Sequence, residues 1–407
     1  MTFFQITLIA TFFVAIYCLS MRIKGGPLFV LIGFSIRAGL AIIDDGNYVL
    51  PWSGSDSVVF FMKVNKFVAT RADLVLFAPP LSSSSMFPWV MSWPARFFGS
   101  EYLFLVFINV LLGTLNILQV RRLADTVLNA KQAKIATWIF VFFPVSAVLS
   151  AVFIRETVIA TFMLLAFTQF ALAIKSGKVE HIALASIAVF CAALFHGALI
   201  VCLTLLPVGY YFANVVKSKK AERNAASPTR LIVFSLLLFG AILGFGPKLS
   251  KIGSLEDIDN LVESRAEREE KRNVARNSDY PLWLSKNIYR PDIAAARYIY
   301  FMFAPFPWSW RGAADIAGSA LGLANMYAFY IVWKNRKVLS VIPVAFAFSV
   351  MLTTLMFSTG VNNVGTAIRH RNKVLPALLC AGIAGHFAHK NKSALRRVHN
   401  RRPIPVP

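Results

Sequence analysis

Two short polar turns, each hard against an apolar run, carry the residues best suited to chemistry. The first is Ile154-Arg155-Glu156. A guanidinium there can grip phosphate oxygens in a bidentate fork, and the neighbouring carboxylate can take a proton or orient the group that does. The plainer alternative makes Arg155 a snorkelling side chain and Glu156 an acid that suits a helix N-terminus. The second turn, Gly365-Thr366-Ala367-Ile368-Arg369-His370-Arg371, ends in Lys373. Folded inward, it would set three cations and an imidazole around one anion, and a diphosphate is the natural anion at a membrane surface. A row of headgroup anchors is the alternative.

Other candidates lie in longer polar segments. Asp56, in Gly54-Ser55-Asp56-Ser57, follows Asp44 and Asp45 and precedes Phe60 and Phe61; these acids either cap a helix or bind sugar hydroxyls. His196, between Phe195 and Gly197, ends a helix or contributes to chemistry as a second-tier residue. Arg265, Arg268, Arg272 and Arg276 recur at helical spacing among Glu263, Glu267, Glu269 and Glu270. By default they form a solvated amphipathic helix; the sharper reading is a basic ridge for lipid diphosphate or acidic glycan. Arg297, Tyr298 and Tyr300 lead to Phe303-Ala304-Pro305-Phe306-Pro307-Trp308, then Trp310 and Arg311. This aromatic and proline run cannot continue a straight helix, and faces such as Trp308 suit sugar stacking or the membrane interface. A second Pro-broken stretch, Pro79 to Pro94 with Trp89 and Trp93, is expected to lie in the interface.

The solvent that must hold these segments follows from composition. Of 407 residues 57% are hydrophobic and 15% charged, against about 25% charged in ordinary soluble domains. A soluble enzyme of several domains is excluded. Apolar runs recur at roughly 3–20, 27–43, 101–120, 135–151, 157–174, 182–196, 198–216, 231–247, 312–333, 338–358 and 374–388, each about the length a helix needs to cross hydrocarbon. The expectation is an all-α polytopic membrane protein of about eleven spans. Residues 1–388 form one transmembrane domain with outer segments 44–100 and 248–311 and interfacial helices, and 389–407 form a basic, disordered inner tail against anionic lipid. The first run has no charged leader and no small-residue cleavage site, and reads as a retained helix.

Alternate threading gives one face a large excess of Lys and Arg, with Asp125, Glu180 and Glu222 as its acids. That face is cytoplasmic by the positive-inside rule, which puts the N-terminus outside, the C-terminus inside and both chemical turns on the outer face. The same asymmetry explains the net charge of +23 without nucleic acid, for which no fold signature appears. Cys18, Cys191, Cys202 and Cys380 all fall in apolar runs, so neither a disulfide framework nor a Cys-ligated metal is expected. No GxGxxG, Walker loop, HExxH, GxSxG or paired CxxC stands in a sensible place. An outward site sees no nucleotide sugar, so its donor must arrive activated, as polyprenyl diphosphate sugars do.

Four features in order, the Gly54 to Phe61 segment, the Ile154-Arg155-Glu156 turn, the Phe303 to Trp308 run and the Gly365 to Arg371 turn, resemble the Wzy- and EpsG-like polymerases of bacterial surface polysaccharides. The resemblance implies an inner-membrane glycosyltransferase acting on the periplasmic side. Its donor and acceptor would be undecaprenyl-diphosphate-linked repeat units, it would need no cofactor and no metal, and a chain-length regulator and a flippase would be its partners. Arg155, Arg369 and Arg371 would engage the diphosphate; Glu156, His370 or Asp56 would take the proton. Three rivals stay open: a multipass transferase using a polyprenyl-monophosphate sugar, an O-antigen ligase, and a transporter or flippase of lipid-linked glycans. The last calls for charges at mid-membrane depth and two repeated halves, whereas Arg37 alone sits within a run and no repeat is visible.

Overall fold

A computed structural model of the chain describes residues 1–70, 80, 83–217, 240, 280–281, 284, 290–310 and 312–400. The run at 231–247, the Glu256 to Arg276 stretch with Arg265, and Arg311 lie outside the described residues. Those described form an all-helical membrane protein. Every other expected apolar run coincides with helix: α1 (Phe3–Ser20) and α2 (Gly26–Asp44), then, after a π-helical turn at Ser53–Ser57, α3 (Val58–Ala69), α4 (Ser83–Phe98), α5 (Tyr102–Val127), α6 (Ala130–Phe142), α7 (Pro144–Ala151), α8 (Glu156–Ser176) and α9 (Val179–Phe195). A 3-10 turn at Gly197–Val201 leads to α10 (Cys202–Lys217), and α11 (Pro291–Phe303), α12 (Ala313–Asn335), α13 (Val341–Gly360) and α14 (Val364–Asn400) complete the chain. Among the described residues, seven segments are long and apolar enough to cross a membrane, or eight if the bent pair α6 and α7 counts as one span.

The bend between α6 and α7 is 53° and has a local cause. Pro144 lacks an N–H and pushes Phe143 into extended backbone (φ −70, ψ 111). Helix α7 then stops after eight residues and the chain turns back at 152–155 into α8. Carbonyls in such a turn need donors from the protein when no water is at hand. Asn109, buried in α5, supplies them: its Nδ2 donates to Val152 O at 2.9 Å and to Ile154 O at 2.8 Å. One step on, Asn116 Nδ2 donates to Thr157 O at 3.2 Å, and the Thr157 hydroxyl reaches Leu149 O at 2.9 Å.

Three sequence expectations change. Residues 364–373 are not a turn but the first turns of α14, started by Asn363, whose Oδ1 accepts from Thr366 N–H at 3.2 Å. The stretch around Pro88 and Pro94 is one continuous helix, α4. Pro88 leaves the Ser84 carbonyl without its usual helical donor, and Lys63 Nζ donates to it at 3.4 Å. Helix α14 also runs on to Asn400, so the first part of the basic tail is helical, as its Lys, Ala, Leu and Arg content favours; 401–407 lie outside the described residues.

Helices approach most closely where a glycine faces its neighbour. A Cβ at Gly209 in α10 would stand 2.2 Å from Ser349 Oγ and 2.6 Å from Ser349 N in α13, so backbone itself blocks it. Small residues at helix crossings let backbones meet in this way. Gly209→Ala is expected to destabilise the protein by about 1–3 kcal/mol through overpacking. Gly39→Ala, where nothing lies within 4 Å, should not destabilise it. Thermal midpoints of the two variants in the same detergent check the contrast; equal midpoints would contradict it.

Candidate functional site

The 152–156 bend and the start of α14, far apart in sequence, meet at one end of the bundle. Arg369 joins them. Its Nη1 pairs with Asp56 Oδ2 from the π-helical turn and lies 4.0 Å from Glu156 Oε1, while Nη2 reaches Thr366 Oγ1 at 3.4 Å. The Arg369 side chain is 15% exposed, that of Glu156 5% and that of Asp56 47%, so Asp56 is the partner water can replace. Arg369 Nε and Glu156 Oε2 are both buried without a partner.

The turn that carries Asp56 is held from several sides. Asp44 closes the preceding loop by accepting from Leu50 N–H at 2.7 Å. Ser57 Oγ lies 2.7 Å from Tyr102 OH and accepts from Phe153 N–H at 3.2 Å. Asp44 thus serves the loop, and Asp56 is left to face Arg369.

Behind Arg369 stands a second layer. Lys373, one turn further along α14, is buried, with its Nζ 3.1 Å from His370 Nδ1. With the ammonium as donor, that nitrogen is the acceptor and the imidazole is neutral. The His370 ring lies 4.7 Å from the His196 ring and 4.6 Å from Phe357. Burial first, then the cations Lys373, Arg155 and Arg369, hold the His196 imidazole well below its ordinary value of 6.5.

Arg155 borders the cluster in a double role. Its Nη1 donates to Ser83 O and to Phe195 O, each at 2.9 Å, tying α4 and α9 to the bend, and its guanidinium lies 5.9 Å from the Phe60 ring centre. Burial lowers its affinity for the proton while Glu156 opposes that shift. Two guanidinium groups, Arg155 and Arg369, therefore face two carboxylates, and behind them stands Lys373, whose ammonium burial brings down to about 7. When Lys373 is protonated, the balance favours an added anion.

Other residues singled out in the sequence do not join the cluster. Arg371 follows Arg369 by two helical positions, a rotation of about 200°, and is fully buried on the far side. Its Nη1 donates to Met302 O and its Nη2 to Ala304 O at 2.6 Å, so it clasps the aromatic run rather than facing the anion site. Arg297 is likewise buried. It donates to Ser358 O, Leu284 O, Thr359 O and Val361 O over 2.6–3.2 Å, where the end of α13 leaves carbonyls exposed. Trp308 is 81% exposed and stacks on Phe306 at 4.9 Å with rings 8° from parallel. Sequence reasoning counted Lys373 among the cations of the turn without separating its face from that of Arg371, and did not see Asn109. A helical period through 369, 370 and 373 would have grouped Lys373 correctly, and an Asn within an apolar span is itself a signal of a buried partner. Among the described residues, no group of three or more His, Cys, Asp or Glu is placed to hold a metal.

The fold has known counterparts. The chain is similar to the archaeal oligosaccharyltransferase AglB from Archaeoglobus fulgidus in complex with an inhibitory peptide and a dolichol-phosphate, with a TM-score of 0.51 and 16% identity over 93% of this chain and 52% of that one. An Archaeoglobus fulgidus oligosaccharyltransferase in the apo form gives 0.51 and 16% over 91% of this chain and 51% of the other. At this identity the likeness shows a shared multipass membrane fold, and this chain spans about half the length of those it matches. No protein-family model matches the sequence, nor does any curated protein.

The buried His196 has a consequence for stability. Its folded-state value lies below its unfolded one, so the unfolded chain takes up more protons as pH falls through about 6.5 and below, and stability drops there. His196→Gln should make this acid limb shallower, the remainder coming from His370, which burial holds below its ordinary value in the same way. Thermal midpoints followed from about pH 7.5 down to about pH 5 test it; a fall as steep as that of the wild type would remove His196 as the source.

Proposed function

We infer that the protein is a membrane glycosyltransferase of the Wzy- and EpsG-like kind, which joins undecaprenyl-diphosphate-linked oligosaccharide repeat units at the periplasmic face of the bacterial inner membrane. One observation carries the reading. Arg369, largely shielded from water between Asp56 and Glu156 and backed by Lys373, offers a guanidinium to an incoming phosphate at the charged end of the bundle. A fold shared with an oligosaccharyltransferase supports the reaction class.

In this reaction the donor diphosphate displaces Asp56 from Arg369, and the guanidinium receives the leaving group in the fork that phosphate oxygens fit. Arg155, and Lys373 when protonated, add positive charge where negative charge grows, a form of electrostatic stabilisation that low dielectric strengthens. Glu156 Oε2, buried and unpartnered, takes the proton from the acceptor hydroxyl. The acceptor oxygen bonds to the anomeric carbon as the carbon to phosphate-oxygen bond breaks, and undecaprenyl diphosphate leaves with the electron pair. Freed from Arg369, Asp56 can accept from sugar hydroxyls. Arg371 fixes the aromatic run to α14 two residues from Arg369, so the Phe306 and Trp308 stack offers a sugar face at a set distance from the phosphate. The chain in this reading crosses the membrane as one transmembrane domain over 1–388, with the N-terminus periplasmic and the basic C-terminus cytoplasmic.

A second reading rests on Asp56. It is the most exposed acid of the cluster and the direct partner of Arg369, which suits a transferase that uses a polyprenyl-monophosphate sugar with an acid at its centre. Purified protein given each donor separately distinguishes the two.

Arg369→Ala should cut chain extension by about 10²–10³-fold with membrane insertion intact, and Arg369→Lys should recover part of it. Glu156→Gln should lower the rate by about 10²–10⁴-fold. Glycan ladders formed by purified protein from lipid-linked repeat units report both. Ladders of wild-type length and rate in Arg369→Ala would exclude the mechanism.

A further inference from the structure

Arg37 lies inside α2, fully buried, and the cluster described above does not use it. Its Nη1 donates to Gly33 O, one turn back on its own helix, at 3.0 Å. Nε and Nη2 meet no partner. Among the described residues no carboxylate pairs with it; Asp44, two turns further along the same helix, is buried with one oxygen unpartnered. A charged group left so within a span costs several kcal/mol unless something solvates it.

The surroundings show what that something is. A Cβ at Gly113 of α5 would stand 3.3 Å from Arg37 Cδ and 2.4 Å from Ser150 Oγ of α7, so three helices meet there. On the same face of α5, one turn to either side, stand Asn109 and Asn116. Asn109 spends both amide N–H groups on Val152 O and Ile154 O, Asn116 spends one on Thr157 O, and each keeps a buried, unpartnered Oδ1. Nearby hydroxyls have no hydrogen to spare, since Ser150 donates to Ser146 O at 2.7 Å and Thr114 to Val110 O at 2.8 Å. The buried side-chain atoms left without a partner there are thus Arg37 Nε and Nη2 on one side and the two Asn Oδ1 atoms on the other. An anion would be held by Arg37 but repelled by both amide oxygens. Water accepts from the guanidinium and donates to the amide oxygens, which satisfies both sets.

We propose that the α2, α5 and α7 junction at Gly113 holds a buried water cluster, bonded to Arg37 Nε and Nη2 and to the Oδ1 atoms of Asn109 and Asn116. The cluster keeps Arg37 charged within the span. It also braces both amides in the orientation that holds the bend carrying Arg155 and Glu156. Arg37 is in this sense a positioning residue for the bend.

Radiolytic hydroxyl-radical footprinting of the full chain in lipid nanodiscs with oxygen-18 water tests the site directly. Ile117, whose Cδ1 is 2.1 Å from where a Gly33 Cβ would be, and Leu149, both buried, should take up oxygen-18. Leu164 and Ile174, equally buried in α8, should not. Arg37→Leu should abolish the labelling and Arg37→Lys should keep it. Should Arg37→Leu fail to fold, the wild-type pattern still decides, because an unlabelled Ile117 and Leu149 mean a dry junction and overturn the proposal. Labelling unchanged in a folded Arg37→Leu also overturns it. A thermal midpoint that drops when gluconate replaces chloride, in the wild type but not in Arg37→Leu, would identify a bound anion in place of water and overturn it as well.

Discussion

Arg369 is a guanidinium held largely away from water between two carboxylates from widely separated parts of the chain, Asp56 and Glu156. Removing either carboxylate leaves part of that charge uncompensated. The surrounding elements exist to make that meeting possible. The Asp44 and Leu50 loop closure and the Ser57, Tyr102 and Phe153 contacts aim Asp56; the bend after α7 delivers Glu156; α14 delivers Arg369 itself. Because Asp56 is the more exposed of the two acids, the lock can open on one side only, and an incoming anion can take the place of Asp56 while Glu156 stays.

Secondary structure, more than composition, divides the labour among the basic residues. In a turn, Arg369, Arg371 and Lys373 would all converge on one ligand. In a helix, Arg369, His370 and Lys373 share a side and Arg371 is carried to the opposite one, where Met302 and Ala304 carbonyls take its N–H groups. The same side chain type thus meets carboxylates at one position and staples backbone carbonyls two residues later. Arg297 shows the alternative at a helix end, where unpaired carbonyls carry the partial negative charge that a guanidinium seeks.

The span pattern was legible in sequence because a helix in lipid must satisfy its backbone internally and show hydrocarbon outward, and about twenty apolar residues mark that plainly. The proximity of the two polar segments was also within reach, since both adjoin spans on one face. The start of α14 was not legible. Gly365 and the run of charges mimic a loop, and only the Asn363 cap and the tertiary burial of His370, Arg371 and Lys373 make it helix. Nor could sequence tell whether a carbonyl or a phosphate reaches a given arginine first, which is why Arg297 and Arg371 looked like ligand residues. Pro88 and Pro94 misled for a related reason: the lost hydrogen bond is real, but Lys63 fills the gap left at Ser84.

The broken span of α6 and α7 ties these points together. Irregular backbone at the edge of hydrocarbon survives only where protein groups satisfy it, and here a single amide, Asn109, holds two carbonyls of the bend while Asn116 holds a third. Those amides face inward on α5, on the face that also meets Arg37 at Gly113. The bend and its chemistry are therefore built outward from a polar seam in the middle of an apolar bundle. A fold shared at 16% identity with a far longer oligosaccharyltransferase leaves such a seam free to differ, since a scaffold fixes where helices run and the side chains grafted on it fix what they hold. What distinguishes this protein from others of its fold should be sought first at that seam and at the charged end it supports.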